Sequence, residues 1–442
     1  MVGEWATLRG GTPIFRYAQS WVESPRARAL SLSLPVTADL ELRGAPVENY
    51  FDNLLPDNPD IRRRIRKRFQ TPSSNTFDLL TAIGRDCVGA VQLLPLSETP
   101  DGWNRVEAET LTEEGVERAL RAVTSATPIG RDEEAEFRIS LAGAQEKTAL
   151  LGMAGKWFRP LHATPTTHIL KLPLGVIGGF QGNFSDSLEN EWLCAQILSA
   201  LKLPVADSAI ATFGEQRVLV VTRFDRRWIG IAAEGAEKRK QFSPTTGTWI
   251  ARLPQEDFCQ ATARPSSAKY EADGGPSISA CLGILATSEH SILDRTNFVL
   301  AQLTFWLLAA TDGHGKNFSI HHEAGGAFSM TPLYDVLSAW PIIGHAKNQL
   351  AIEKAKLAMA VRGRNAHYRL NEIQPRHWCA LAENTGLPEM WTAMQEHVEA
   401  IGPAIDKLEA KLPNGFPDRV FKTIRDGVRR QVRSFQAALR DS

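Results

Sequence analysis

The run Thr311-Asp312-Gly313-His314-Gly315-Lys316-Asn317 sets a carboxylate and a carboxamide at D-x-x-x-x-N spacing, directly after an apolar stretch that ends near Ala310. A sequence this polar behind a buried helix reads as a loop held against a core. Transfer of a phosphoryl group to a hydroxyl needs a carboxylate to orient the nucleophile and take its proton, and a second oxygen nearby to hold Mg2+. Asp312 and Asn317 suit those two roles. Alone, the spacing occurs often by chance, and an Asp-Gly pair is usually only a turn.

The same spacing is found in the catalytic loop of eukaryotic kinases, although Ala310-Thr311 stands here where His-Arg precedes the aspartate there. Further along, after a hairpin expected through Gly325-Gly326, Tyr334-Asp335 follows Thr331-Pro332-Leu333. An aspartate leaving an apolar strand end is placed for a metal, and two oxygen donors with phosphate oxygens suit Mg2+. Upstream, Ile169-Leu170-Lys171-Leu172-Pro173 embeds a lysine in a strand, where it needs an anion. Glu191, on an expected helix, follows at a separation like that of the strand lysine and helix glutamate of kinases. Glu189 competes for that role, and a surface glutamate is the default. The small-residue loop from Phe137 to Lys147 could cradle phosphates with backbone N–H groups, yet it is neither G-x-G-x-x-G nor a Walker loop.

These residues need a sheet and a helical scaffold. Strand-like runs dominate 137–225, with one helix around Asn190 to Leu201, and helices dominate from about 290 onward. Asn297 to Thr311 reads as a buried helix, too short and too polar at Gln302 and Thr304 to span a membrane. In the first hundred residues, Leu30, Leu32 and Leu34 alternate as a half-buried strand would, and Val88 to Leu94 reads as a strand stopped by Pro95. Ile61, Ile65 and Phe69 share one helix face, and the arginines between them read first as a solvated face, with nucleic-acid or partner contact as the alternative. Thr112 caps a helix to about Val123. The polar connector Ser125 to Glu136 is the main boundary, giving units 1–124, 125–225 and 226–442. The last helix, opened by Pro417-Asp418, carries Val420, Ile424, Val428, Val432, Phe435 and Leu439 on one stripe.

Composition excludes several classes. The 442 residues hold 50 basic and 50 acidic side chains, so no global field draws the chain to nucleic acid or an anionic membrane. Five dispersed cysteines without a C-x-x-C pair argue against disulfides and zinc. His321 and His322 adjoin on an expected strand and so point to opposite faces, a poor metal pair. The amino terminus shows no secretion signal, and a cytoplasmic protein without membrane contact is expected.

Taken together, Phe137 to Leu151, Thr166 to Pro173, Arg223-Phe224-Asp225-Arg226-Arg227-Trp228, Leu253-Pro254-Gln255-Glu256-Asp257, Lys269-Tyr270-Glu271, Asp273-Gly274-Gly275-Pro276, Ala310 to Phe318 and Tyr334-Asp335 resemble the HipA family of kinase toxins. Tyr50-Phe51-Asp52-Asn53-Leu54-Leu55-Pro56-Asp57 and Ile83-Gly84-Arg85-Asp86-Cys87-Val88-Gly89-Ala90 extend the resemblance over nearly the whole chain. It implies an α+β, two-lobed, distantly protein-kinase-like fold with an α/β amino-terminal portion and a mainly helical carboxy-terminal lobe.

By that resemblance the chain is a serine/threonine kinase using ATP and Mg2+. Ala142, Gly143, Ala144, Gln145, Glu146, Lys147, Lys171, Thr222, Arg223, Phe224, His314, Gly315, Lys316 and Asn317 would contact ATP. Asp312 would be the base, Tyr334 and Asp335 would complete the site, and Asn317 with Asp335 would hold the metal. Ser140 matches the serine that such kinases autophosphorylate, a dianion that repels ATP and unseats the loop. The family's substrate is glutamyl-tRNA synthetase, whose phosphorylation stalls translation and arrests growth. Its partner is HipB, a helix-turn-helix antitoxin on operator DNA, and the pair represses its operon. Arg362, Arg364, His367 and Arg369 lie near the family's DNA contact, although the local sequence diverges. HipA proteins usually carry a strand and turn before Val2-Gly3-Glu4, so a late start without an edge strand is expected. The alternatives are a non-catalytic co-repressor acting through HipB and DNA, or a kinase with another substrate. Gln255, Glu256 and Asp257 acquire no role beyond loop hydrogen bonds.

Overall fold

The computed structural model describes residues 1–100, 102–124, 140–143, 145–177, 182–230 and 247–440. The connector Ser125 to Glu136, residues 137–139 and Ala144 lie outside the described residues.

At the front, strand Gly3–Thr7 pairs with Pro13–Tyr17, which pairs in turn with Glu41–Arg43, all antiparallel. Phe15 and Tyr17 face the helices Ala45–Asp52 and Thr76–Ile83, which cover them with Val47, Tyr50, Phe51, Leu79 and Leu80. The arginine-rich helix Pro59–Phe69 opens with Asn58 accepting from the Asp60 N–H, and Pro59 presets its first turn. Ile61 is buried and Ile65 and Phe69 pack on the same core, leaving Arg63, Arg66 and Lys67 exposed.

Two strand expectations fail here. Residues 30–34 form a turn closed by a bridge between Ser31 and Leu34, because Ser31, not Leu32, goes inside to reach Glu256. Residues 88–94 are irregular; Val91 and Leu93 pack on the core without joining a ladder.

The second layer is a six-stranded antiparallel sheet in the order Ser208–Phe213, Gln216–Thr222, His168–Lys171, Lys147–Met153, Lys156–Pro160, Ala108–Leu111. Alternation sorts its side chains by face. Val218 and Val220 meet Val116 and Leu120 of the helix Glu113–Val123, whereas Leu219 and Val221 meet Leu188 of the helix Ser187–Ala200. Thr112 caps the first of these by accepting from the Gly115 N–H. The sheet thus takes in Ala108–Leu111 and carries the helix Glu113–Val123 on one face, both before the boundary expected at 124.

The third region is helical. Ser291–Leu307 starts at the surface with Ile292 and Leu293 exposed and is buried all round from Ala301 on, with Phe298, Val299, Leu303, Phe305 and Trp306 inside. Around it pack Pro375–Thr385, Met390–Glu409 and Asp418–Arg440, the last through Val420, Ile424, Val428 and Phe435, as its stripe implies. The whole is α+β. Among the described residues no helix is long and apolar enough to cross a membrane, and all five cysteines are free thiols, four of them buried.

Candidate active site

Lys171 ends a central strand, and its ammonium is enclosed. Its Nζ lies 2.6 Å from Glu191 Oε1 and 2.8 Å from Asp335 Oδ1. Glu191 is therefore the helix partner of Lys171; Glu189 instead receives Arg217 at 2.6 Å. Burial disfavours charge on Lys171, but the Asp335 and Glu191 carboxylates outweigh it and hold the ammonium above its ordinary range. Asp335 is burdened by burial too, yet Lys171 and Lys147 keep it well below the usual carboxylate range. It does not leave a strand end. It sits in irregular chain beyond Phe328–Met330 with a left-handed backbone, φ 61°, a conformation that costs a non-glycine residue about 1–3 kcal/mol and collects at functional sites.

Lys147 stands directly across the ladder from Lys171. Its Nζ donates to the Ala142 carbonyl at 2.7 Å, and no salt bridge to it exists among the described residues. Burial pulls its pKa down to about 8. Gly143 covers it with φ 106°, and a Cβ there would fall 2.6 Å from Lys147 Nζ, so this turn accepts only glycine. Gln145 Nε2 donates to the Leu172 carbonyl at 2.6 Å, and Glu146 pairs with Arg64. Ser140 is wholly buried, its hydroxyl donating to the Leu54 carbonyl at 2.7 Å.

The polar loop lies where the buried helix ends. Asn317, in the single turn Gly315–Asn317, donates from Nδ2 to the Asp312 carbonyl at 2.7 Å. The Asp312 carboxylate accepts from the Tyr270 phenol and remains half exposed. His314 is buried, 3.8 Å from Asp312 Oδ2, and within electrostatic range of both Asp312 and Asp335; burial lowers its pKa. Phe224 and Tyr334 face each other at 5.7 Å between centroids, and the Tyr334 phenol donates to the Lys316 carbonyl at 2.9 Å. Thr222 is exposed at the end of its strand, beside Phe224 in sequence.

Two residues expected at the nucleotide turn their side chains elsewhere. Arg223 is spent on Asp225 and Asp86, with Thr166 and the Cys87 carbonyl, in a cluster completed by Arg226 and Arg252. Lys316 donates to Asn53 Oδ1 at 2.9 Å and lies 3.2 Å from Asp57. Both lock the amino-terminal layer to the rest, because a buried cation takes whatever anion or carbonyl lies in reach. Arg362, Arg364, His367 and Arg369 sit on the hairpin of Lys356–Arg362 and Ala366–Arg369: Arg362 pairs with Glu271, Arg369 with Glu372, and His367 stacks on His377 at 3.8 Å.

Sequence reasoning missed Asp57, Tyr270 and the work of Gln255-Glu256-Asp257. Asp57 takes Lys269 at 2.9 Å and, through its N–H, binds the Gly143 carbonyl at 3.1 Å. Glu256 receives Ser31, the Leu32 N–H at 2.8 Å and His322 at 2.8 Å. Asp257 caps the turn Phe258–Ala261. The pattern that would have pointed to docking is the run 50–57, rich in short polar side chains between apolar ones.

A nucleotide and Mg2+ are tested by what this pocket leaves unpaired. Among the described residues Glu191 Oε2 and His314 Nδ1 are buried without hydrogen-bond partners, and no carboxylate pairs with the Lys147 ammonium. No group of three or more His, Cys, Asp or Glu that could hold a metal assembles among the described residues. A hard cation sharing phosphate oxygens with Asp335 and Asn317 fits that donor set.

Comparison with known proteins follows the same lines. The family described as the HipA-like C-terminal domain matches residues 139–407, and the HipA N-terminal domain matches 1–94. Y4mE of Sinorhizobium fredii, which carries a provisional kinase name, is 31% identical over 88% of this chain and 84% of its own. The serine/threonine-protein kinase toxin HipA of Shewanella oneidensis is 25% identical over 88% of this chain and 82% of its own. A solved structure of Shewanella oneidensis HipA with HipB and operator DNA superposes with a TM-score of 0.76 at 22% identity, covering 100% of this chain and 96% of that one.

Proposed function

The chain belongs to the HipA family, and on that footing we propose that it is a toxin acting as an ATP- and Mg2+-dependent serine/threonine protein kinase, with Asp312 as its base. The observation that carries the reading is Lys171 held between Glu191 and Asp335, with His314 of the Asp312 and Asn317 loop in electrostatic range of Asp335. Lys171 and Lys147 offer N–H donors to phosphate oxygens, and the backbone of Ala142, Gly143, Gln145 and Glu146 closes over them. Phe224 and Tyr334 flank the base end of the nucleotide. Asp335 and Asn317 would hold Mg2+, which would supply charge neutralisation at the transferring group. The acceptor hydroxyl hydrogen-bonds to Asp312, and its proton passes to that carboxylate as the oxygen–phosphorus bond forms and ADP leaves.

Glutamyl-tRNA synthetase is the proposed substrate, Ser140 the self-phosphorylated off-switch, and a HipB-like antitoxin the partner with which the chain represses its operon. The hairpin bearing Arg362, Arg364, His367 and Arg369 is the proposed DNA contact, supported by its three exposed arginines. Incubation with Mg2+ and labelled ATP should label Ser140 in the wild type and not in Asp312→Ala. Equal labelling of both removes Asp312 as base. Failure to label purified glutamyl-tRNA synthetase where Ser140 is labelled removes that substrate.

A further inference from the structure

Asp312 is held at two points. Its carbonyl accepts from Asn317, and its carboxylate Oδ1 accepts from the phenol of Tyr270, which arrives from 42 residues upstream. The segment carrying Tyr270 is packed hard against the catalytic loop. The Gly315 N–H donates to the Lys269 carbonyl at 3.2 Å, and the Gly275 N–H donates to the Tyr270 carbonyl at 2.9 Å. A Cβ on Gly315 would fall 2.5 Å from Pro276 Cγ and 2.9 Å from Cys259 Sγ, so the rigid Pro276 ring and the Cys259 side chain leave no room for a side chain there. The Tyr270 ring meets His314 edge-on at 5.1 Å.

The residues on either side of Tyr270 reach two other regions. Lys269 Nζ donates to Asp57 Oδ2 at 2.9 Å in the amino-terminal layer. Glu271 accepts from the Ala360 N–H at 2.7 Å and pairs with Arg362 on the basic hairpin. Three consecutive side chains thus hold three regions, and the middle one holds Asp312.

A carboxylate turns about a broad torsion, so an unrestrained Asp312 would spread over many orientations. The Asp312 side chain is 56% exposed, and Oδ2 lies 3.8 Å from His314, beyond hydrogen-bond length. One oxygen is engaged and the other is left for an incoming hydroxyl.

We propose that Tyr270 is a positioning residue for Asp312, fixing Oδ1 so that Oδ2 is presented to the acceptor, with Lys269 and Glu271 bracing it against the amino-terminal layer and the hairpin. This rests on the reading of Asp312 as the base. A misplacement of about 1 Å at a reacting group costs roughly a hundredfold in rate.

The test compares wild type, Tyr270→Phe, Asp312→Ala and the double variant in single-turnover phosphoryl transfer with Mg2+ and ATP, alongside titration with a fluorescent ATP analogue. Tyr270→Phe should slow transfer about ten- to a hundredfold with analogue affinity and stoichiometry unchanged, and should add nothing in the Asp312→Ala background, because a residue acting through another has no effect once that one is gone. A Tyr270→Phe rate equal to or above wild type overturns the proposal, the faster rate marking Tyr270 as a plug in the acceptor position. So does a further loss of the same factor in the double variant. Transfer that Asp312→Ala retains in full overturns both the base and its positioner while leaving the kinase reading intact; a wild type without transfer overturns all three.

Discussion

Two buried clusters of charge in this molecule differ in how far they are closed. In one, Asp86 and Asp225 meet Arg223, Arg226 and Arg252, and every carboxylate oxygen has a partner: Asp86 takes all three guanidinium groups and Thr166, and Asp225 takes Arg223 and the Gly89 N–H. Among the described residues only Arg226 Nε is left over there. In the other, Lys171 joins Glu191 and Asp335, but Glu191 Oε2, His314 Nδ1 and the Lys147 ammonium keep bonding capacity to spare. The closed cluster joins four regions of chain, around 86–89, 163–166, 223–226 and 252. The open one has bonding capacity left over for a ligand of the kind proposed above. Both contain motif arginines or lysines, so residue type alone does not separate a fastener from a binding group; unfilled valence does.

The sharpest way to break this comparison is through stability. Asp86→Ala strands three buried guanidinium groups and should cost about 3–5 kcal/mol of unfolding free energy in chemical denaturation. Glu191→Gln should do the reverse, slowing transfer about ten- to a hundredfold while the denaturation midpoint moves little, since the amide keeps the shape and a hydrogen bond to Lys171. If Asp86→Ala were as stable as wild type, the fastener reading of that cluster would fall.

Lys147→Met sharpens the contrast with smaller effects of opposite sign. Loss of the ammonium should weaken ATP binding about tenfold, measured by calorimetry. Its folded pKa is lowered to about 8 from an ordinary value near 10.5, so below pH 8 the folded state bears the full cost of burying the charge, and that cost fades as pH rises from 8 toward 10.5. Lys147→Met should therefore melt higher than wild type at pH 7, with the gap closing above pH 8. The smallest effect is expected outside both clusters. Arg429→Ala removes a half-exposed pair with Asp406 and should change stability by less than about 0.5 kcal/mol.

The sequence showed most where one local rule decided the outcome. Lys171 and Glu191 were legible because a buried ammonium demands an anion and the helix offered one at the right separation. The carboxy-terminal helix was legible from its stripe. Asp335 as the second partner of Lys171 was not, since 164 residues separate them and only the tertiary fold joins them. Arg223 was placed at the nucleotide by resemblance alone, whereas the partners of its side chain at 86 and 225 were visible only in space. Leu30 to Leu34 misled for another reason. The alternation was genuine, but Ser31 had a buried hydrogen-bond partner in Glu256 and won the interior. Tyr270 stood in a quoted motif without a role, because nothing in its neighbours signals contact with a carboxylate 42 positions away.

The hydroxyl of Ser140 faces the Leu54 carbonyl and no solvent. For a kinase that silences itself at this serine, the docked segment must first come loose, so the enzyme's working lifetime is set by how rarely that happens. If the opening costs about 3 kcal/mol, roughly one molecule in 150 is open at any instant, and modification runs slower than the chemistry by that same factor. Were Ser140 modified as proposed above, that segment would act as a timer whose interval is tuned by the few hydrogen bonds at Leu54, Asp57 and Asp86, and it would run without any signal from outside the protein.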